Sequence, residues 1–183
     1  MVLSMKMNLL KNVKKGANKM HMIIRNIVYA NSKGEALGKA KNNMDHLCEG
    51  QYPFDYYDTF DEGGTSYWGD RLQPVSGIST AEGRKLVVDG WRNTLRDMRW
   101  HLQEIRKITE NKSDLEIIQS LKNSHLQYHY KSVGDYRGAG VWMYDSDGEG
   151  IKSRNHLNNV LNKWDAKNLQ DQKVFVVPAD VHY

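Results

Sequence analysis

Apolar residues along this chain follow two different periods, and the places where one gives way to the other mark out the elements. His21 to Ala30 is rich in Ile, Val and Tyr and predicts a buried strand. Asn31 or Ser32 can cap a following helix, and Glu35, three residues after Ser32, completes a capping-box pattern. Leu37, Ala40, Met44 and Leu47 recur at helical spacing on that helix, and Gly50 stops it. Phe54 to Phe60, FDYYDTF, predicts a second strand. The Gly- and Asp-rich stretch over 61–77 predicts a long loop.

The longest periodic segment comes next. Ser79 or Thr80 caps a helix running to about Glu110. Val88, Trp91, Leu95, Met98, Leu102 and Ile105 repeat at alternating spacings of three and four, which defines one apolar stripe. Such a stripe serves either a helix packed on a sheet or a dimer seam. Packing within the chain is the expectation, because the strands need a helix to cover them.

Ser113 or Asp114 opens a shorter helix to about Lys122. Leu126, Tyr128 and Tyr130 then alternate with Gln127, His129 and Lys131, which predicts a strand buried on one face. Gly134 to Gly140 turns the chain towards VWMYD, residues 141–145, as a hairpin partner. Arg154 to Trp164 predicts a last helix with Leu157, Val160, Leu161 and Trp164 on one side, and Lys173 to Pro178 closes as a core strand. The order β-α-β-α-α-β-β-α-β gives an α+β fold. We expect a single two-layer domain over 21–183, with a mixed sheet of about five strands, the long amphipathic helix and three shorter ones. Residues 1–20 form a basic N-terminal extension.

Composition changes this picture little. The 183 residues are 39% hydrophobic and 26% charged, ordinary for a globular chain. Cys48 is the one cysteine, which excludes an internal disulfide and a zinc site built from several thiolates, and suits a reducing, cytoplasmic compartment. Its neighbour Leu47 on a predicted helix makes it a buried structural thiol rather than a nucleophile. No apolar run approaches the roughly 20 residues a membrane helix needs, so no membrane partner is expected. Net charge is +4. Its distribution is lopsided: Lys6, Lys11, Lys14, Lys15, Lys19, Arg25 and Lys33 precede Gly34 without a single acid, whereas Asp45 to Asp70 holds acids and no Lys or Arg.

The candidate chemistry is spread over several segments. Arg92, Arg96, Arg99 and Arg106 lie one residue beyond Trp91, Leu95, Met98 and Ile105, a step of about 100° that sets them beside the apolar stripe. Guanidinium forks there could grip phosphates or carboxylates. The alternative is an ordinary solvated edge with pairs such as Asp89–Arg92. Tyr67, Trp68 and Arg71 on the long loop, with Tyr136 and Arg137 at the turn, could stack on bases or serve as protein contacts. Asp145, Asp147 and Glu149 with Gly150 imitate the front half of a calcium loop, making a divalent cation the one cofactor to consider. Position twelve, however, is His156, and a polar turn explains the same acids. Of the histidines, His125 and His129 are four apart but fall where helix gives way to strand, so they need not share a face. His182, beside Asp180 and Tyr183, could do acid–base chemistry at a sheet edge. No GxGxxG, GxxxxGK[ST], GxSxG or HExxH pattern occurs, which disfavours nucleotide-hydrolase and dinucleotide-oxidoreductase readings.

The segments IIRNIVYANSKGEALGKAKNNM, FDYYDTF and VFVVPADVHY resemble small uncharacterised proteins of archaea, phages and archaeal viruses. The resemblance implies an accessory protein of a virus or mobile element and carries no site residue with it. The expected function is a non-enzymatic protein that engages an acidic macromolecule, protein or nucleic acid, through Arg92, Arg96, Arg99 and Arg106, aided by the N-terminal lysines. The alternatives are a metal-dependent phosphoester enzyme using Asp145, Asp147 and Glu149, or a homo-oligomer built through the long helix.

Overall fold

The computed structural model describes residues 21–49, 53–59, 75–120, 124–136, 138, 140–162 and 173–182. The elements run β1 (His21–Ala30), α1 (Lys33–Cys48), β2 (Tyr56–Thr59), β3 (Ser76–Gly77), α2 (Ala81–Thr109), α3 (Asp114–Ser120), α4 (Ser124–Gly134), β4 (Met143–Tyr144), α5 (Arg154–Asn162) and β5 (Lys173–His182). This is a single α+β domain with a mixed five-stranded sheet.

β1 and β5 form the centre, antiparallel over all ten residues of each, from His21↔His182 to Ala30↔Lys173. β4 adds to β1 in parallel, while β2 and β3 both pair with the outer edge of β5. Pro178 explains why that edge carries two short strands. The backbone N–H of Arg25, the partner of Pro178, points the other way, to Trp142 O at 3.0 Å. Pro178 therefore faces the outer edge, where it has no N–H to give. β3 pairs with Phe175 and Val176 before this point, and β2 pairs from Ala179 onwards.

Both faces of the sheet are covered. Alternate side chains of a strand go to opposite sides. Accordingly Met22, Ile24, Val28, Ala30, Val177, Ala179 and Val181 meet Ala36, Ala40, Met44 and Leu47 of α1. Ile27, Tyr29, Val174 and Val176 meet Leu86 and Val87 of α2 and Leu157 and Val160 of α5. The two-layer expectation, with helices largely on one face, is thus corrected to three layers. β1 and β5 are apolar on both sides, which is the pattern of a sheet with no solvated face.

Local signals act as the sequence suggests at the helix starts. Ser32 Oγ accepts from Glu35 N at 3.2 Å, and the Glu35 carboxylate accepts from Asn31 N at 2.9 Å. Thr80 Oγ1 accepts from Gly83 N at 3.0 Å at the head of α2. Three expectations fail. Residues 126–130 belong to α4, a helix, and not to a strand. The 141–145 segment supplies β4, paired in parallel with β1 instead of in a hairpin. The loop over 61–77 ends in the short strand β3. Residues 1–20 and the tip of that loop lie outside the described residues.

The apolar stripe of α2 is also not its buried face. The buried residues are Gly83, Leu86, Val87, Gly90, Thr94 and His101. Close approach is the cause. A Cβ on Gly83 would sit 2.1 Å from Gly77 O, and one on Gly90 would sit 2.8 Å from the Met143 side chain. Where α2 crosses the sheet, small side chains must face inward. Val88, Leu95 and Leu102 are left exposed, at 43%, 41% and 52%.

Candidate functional site

Three parallel rows run along the outer side of α2, each at seven-residue intervals. Trp91, Met98 and Ile105 are half-buried against the domain; Val88, Leu95 and Leu102 are exposed; Arg92, Arg99 and Arg106 are exposed beside them. Arg96 lies further round the same flank. The guanidinium of Arg92 reaches Asp89 at a loose 4.0 Å. Arg96 Nε donates to Asp97 at 3.1 Å, and its guanidinium lies over the Trp142 ring at 5.5 Å. Arg99 and Arg106 form no ion pair among the described residues. Side-chain exposures of 75% for Arg92 and 64% for Arg96 keep both pairs largely in water, where they contribute little. The four cations sequence reasoning singled out thus share one exposed flank. Tyr67, Trp68, Arg71 and Arg137 lie outside the described residues; Tyr136 is exposed, below the Lys152 ammonium.

The Asp145 loop is a cap, not a cradle. One Asp145 oxygen accepts from Asp147 N at 3.0 Å and Glu149 N at 2.9 Å, and the other meets His156 Nε2 at 2.9 Å. Gly148 takes a positive φ of 74° to close the turn. Asp147 and Glu149 point outwards, and among the described residues no group of three His, Cys, Asp or Glu is assembled to hold a metal ion. Nearby, the buried Lys152 ammonium donates to the carbonyls of Ser132 at 2.8 Å, Val133 at 3.3 Å and Asp135, closing the C-terminus of α4. Burial pulls its pKa down, which Asp135 partly opposes.

Two histidine clusters emerge. At the end of the sheet, His182 Nδ1 meets Asp55 at 2.9 Å, His21 Nδ1 meets Asp180 at 3.3 Å, and the Tyr56 ring stacks on His182 at 4.9 Å. His182 and Asp180 stand two residues apart at the end of β5, where strand register brings Asp55 and Tyr56 to His182 and His21 to Asp180; Tyr183 lies outside the described residues. The second cluster was missed. Between α2 and α4, His101 Nδ1 lies 2.9 Å from His129 Nδ1, and His129 Nε2 lies 3.3 Å from His125 Nε2. His101 and His129 are buried, and burial lowers both pKa values, aided at His101 by the neighbouring His129 and at His129 by His125. The four-residue spacing of His125 and His129 was the available signal, and the strand reading hid it.

Comparison with known families adds one finding. A family model described as Domain of unknown function (DUF7995) matches residues 20–183. The chain belongs to that family. No curated protein and no solved structure matches it. Within this DUF7995 chain no described helix is long and apolar enough to cross a membrane. Cys48, the last residue of α1 and half-buried against the core, has the pKa of its thiol pushed up to about 11, chiefly by burial and then by Asp45 and Asp55. Such a thiol is a poor nucleophile.

Proposed function

We propose that this protein is a non-enzymatic binding module whose outer α2 face docks an amphipathic helix of an acidic protein partner. The observation that carries the reading is the juxtaposition of two exposed rows, Val88–Leu95–Leu102 and Arg92–Arg99–Arg106, in one heptad register. The aliphatic row takes the apolar seam of a partner helix, and the arginines take carboxylates flanking it. The aliphatic row also favours protein over nucleic acid, since phosphate contacts gain nothing from exposed Val and Leu. An antiparallel pairing with a second copy of the chain is disfavoured, because it would bring the like-charged arginine rows together. The resemblance to archaeal and viral proteins supports an accessory role for a virus or mobile element.

A designed peptide with an apolar heptad seam and glutamate flanks is the probe, measured by fluorescence anisotropy alongside duplex DNA. The expectation is that the peptide binds, that Arg92→Gln/Arg99→Gln/Arg106→Gln and Val88→Ser/Leu95→Ser/Leu102→Ser each weaken it at least tenfold, and that DNA binds more weakly. Equal affinity in the wild type and both triple variants would sink the reading. DNA binding that survives the serine variant but falls steeply with salt would move the partner to nucleic acid. Association of the free chain in light scattering would move it to a second copy.

A further inference from the structure

Where α2 meets α4, three imidazoles form a hydrogen-bonded chain. His101 Nδ1 and His129 Nδ1 are 2.9 Å apart, and His129 Nε2 and His125 Nε2 are 3.3 Å apart. His101 and His129 are buried, and His125 is the exposed end. A neutral imidazole carries one N–H and one lone pair; an imidazolium carries two N–H groups and no lone pair. Each contact therefore needs one proton between its two nitrogens. Of the six ring nitrogens, four lie in the two contacts and hold two protons between them. The other two, His101 Nε2 and His125 Nδ1, take at most one proton each. The closed chain thus holds four protons at most, which is three neutral rings plus one.

A second added proton has no place. Wherever it goes, one contact becomes N–H facing N–H, and two positive rings share one small cluster. The surroundings do not relieve this. On α2, Asp97 favours charge on His101, but its carboxylate is already held by Trp142 Nε1 at 2.6 Å and Arg96 Nε at 3.1 Å. Glu104 favours charge on His129, but it is paired with Lys107 at 2.6 Å. Against them, the Lys152 ammonium disfavours charge on His101, and Trp100 and Tyr128 pack edge-on against the His129 ring at 5.2 Å each, where water would otherwise solvate it. Burial, and then the neighbouring rings, holds His101 and His129 below the usual histidine range.

We propose that His101, His129 and His125 form an acid-triggered latch, which holds α4 against α2 until a second proton enters the chain. Unfolded histidine titrates near pH 6.5. Above that pH the contact has its full stability. As pH falls through and below it, the open form gains protons that the closed form refuses, and α4 is released. The far end of α4 stays anchored, because its last carbonyls are held by the Lys152 ammonium, which keeps its charge in acid. The N-terminal part of α4 therefore swings out about that anchor and uncovers Leu126, fully buried when the latch is closed. The latch stands whether or not the outer face of α2 binds a partner.

The test follows amide hydrogen exchange of the full chain by mass spectrometry from about pH 7.5 to 4.5, corrected for intrinsic exchange rates. The closed chain accepts one added proton and the open chain three, a difference of two. The opening constant of α4 is therefore expected to rise about 100-fold per pH unit below about pH 5.5. Amides of α1, on the opposite face of the sheet, are expected to rise less than tenfold per unit. His125→Ala, at an exposed position, leaves a two-ring chain in which open and closed forms differ by one proton. Its α4 slope is expected to fall to about tenfold per pH unit. His46→Ala, exposed on α1, is expected to keep the wild-type slope. A wild-type α4 slope of tenfold or less, or one in step with α1, would overturn the latch. A slope that His125→Ala leaves unchanged would overturn it equally.

Discussion

The two halves of α2 meet the rest of the molecule through opposite chemistries. The N-terminal half crosses the sheet with Gly83 and Gly90 turned inward, and Leu86 and Val87 fill the space beside them. Its stability comes from close approach and apolar burial. The C-terminal half meets α4 through His101, whose ring lies against His129 and within reach of Tyr128 at 5.4 Å. Here polar groups are buried, and they hold only because each finds a partner. One helix therefore solves two packing problems: absence of side chain where it crosses the sheet, and partnered imidazole where it meets α4.

Replacements along α2 should break that contrast in a definite order. Gly83→Ala drives a methyl group into the Gly77 carbonyl, a backbone atom that cannot step aside, and should cost about 3 kcal/mol or more in urea unfolding. Gly90→Ala meets side-chain atoms instead, Met143 Cγ at 2.8 Å and Arg25 Cδ at 3.1 Å, and should cost less than Gly83→Ala. If both variants unfold at the wild-type midpoint, the close crossing is wrong. Next come two adjacent valines. Val87→Ala removes two buried methyl groups and should cost about 2 kcal/mol, while Val88→Ala, on the exposed row, should stay within about 0.5 kcal/mol. Equal losses at the two positions would mean that the outer row is covered in the isolated chain.

On the other half, His101→Ala leaves the ring nitrogen of His129 buried without its partner and should cost about 1–3 kcal/mol. His101→Phe, which keeps the volume, should recover part of the packing and none of the hydrogen bond, so the difference between the two variants measures the packing share and the loss that remains in His101→Phe measures the polar share. Among the buried and capping positions, the smallest effect belongs to the helix start. Thr80→Ala removes the acceptor for Gly83 N and should lower stability by about 1 kcal/mol without changing the circular dichroism of the folded state.

Much of this architecture was legible in the order of residues. The capping pair Ser32 and Glu35, the buried spacing of Ala40, Met44 and Leu47, and the unbroken apolar character of β1 and β5 each pointed to the right element. Two faces were misread for one reason. In α4 the buried positions are Leu126, His129 and Ser132, at helical spacing, whereas Tyr128 and Tyr130 are 40% and 42% exposed. In α2 they include Gly83, Gly90, Thr94 and His101. A reading that equates inward with apolar passes over glycine, threonine, serine and histidine, and takes exposed Tyr, Val and Leu for the core.

The amino-acid sequence by itself determined most of the segments that become helix or strand, with α4 and β3 the exceptions, where most helices begin, and that four arginines occupy one edge of the longest helix. Those properties rest on φ/ψ preference, capping and periodicity, all of which act over a few residues. Tertiary structure alone decided which side of α2 faces inward, that Pro178 splits the outer edge of β5 between two strands, and that His101 on one helix reaches His129 on another. Each of these depends on atoms distant along the chain being brought within van der Waals or hydrogen-bond distance, and no local spacing encodes that separation.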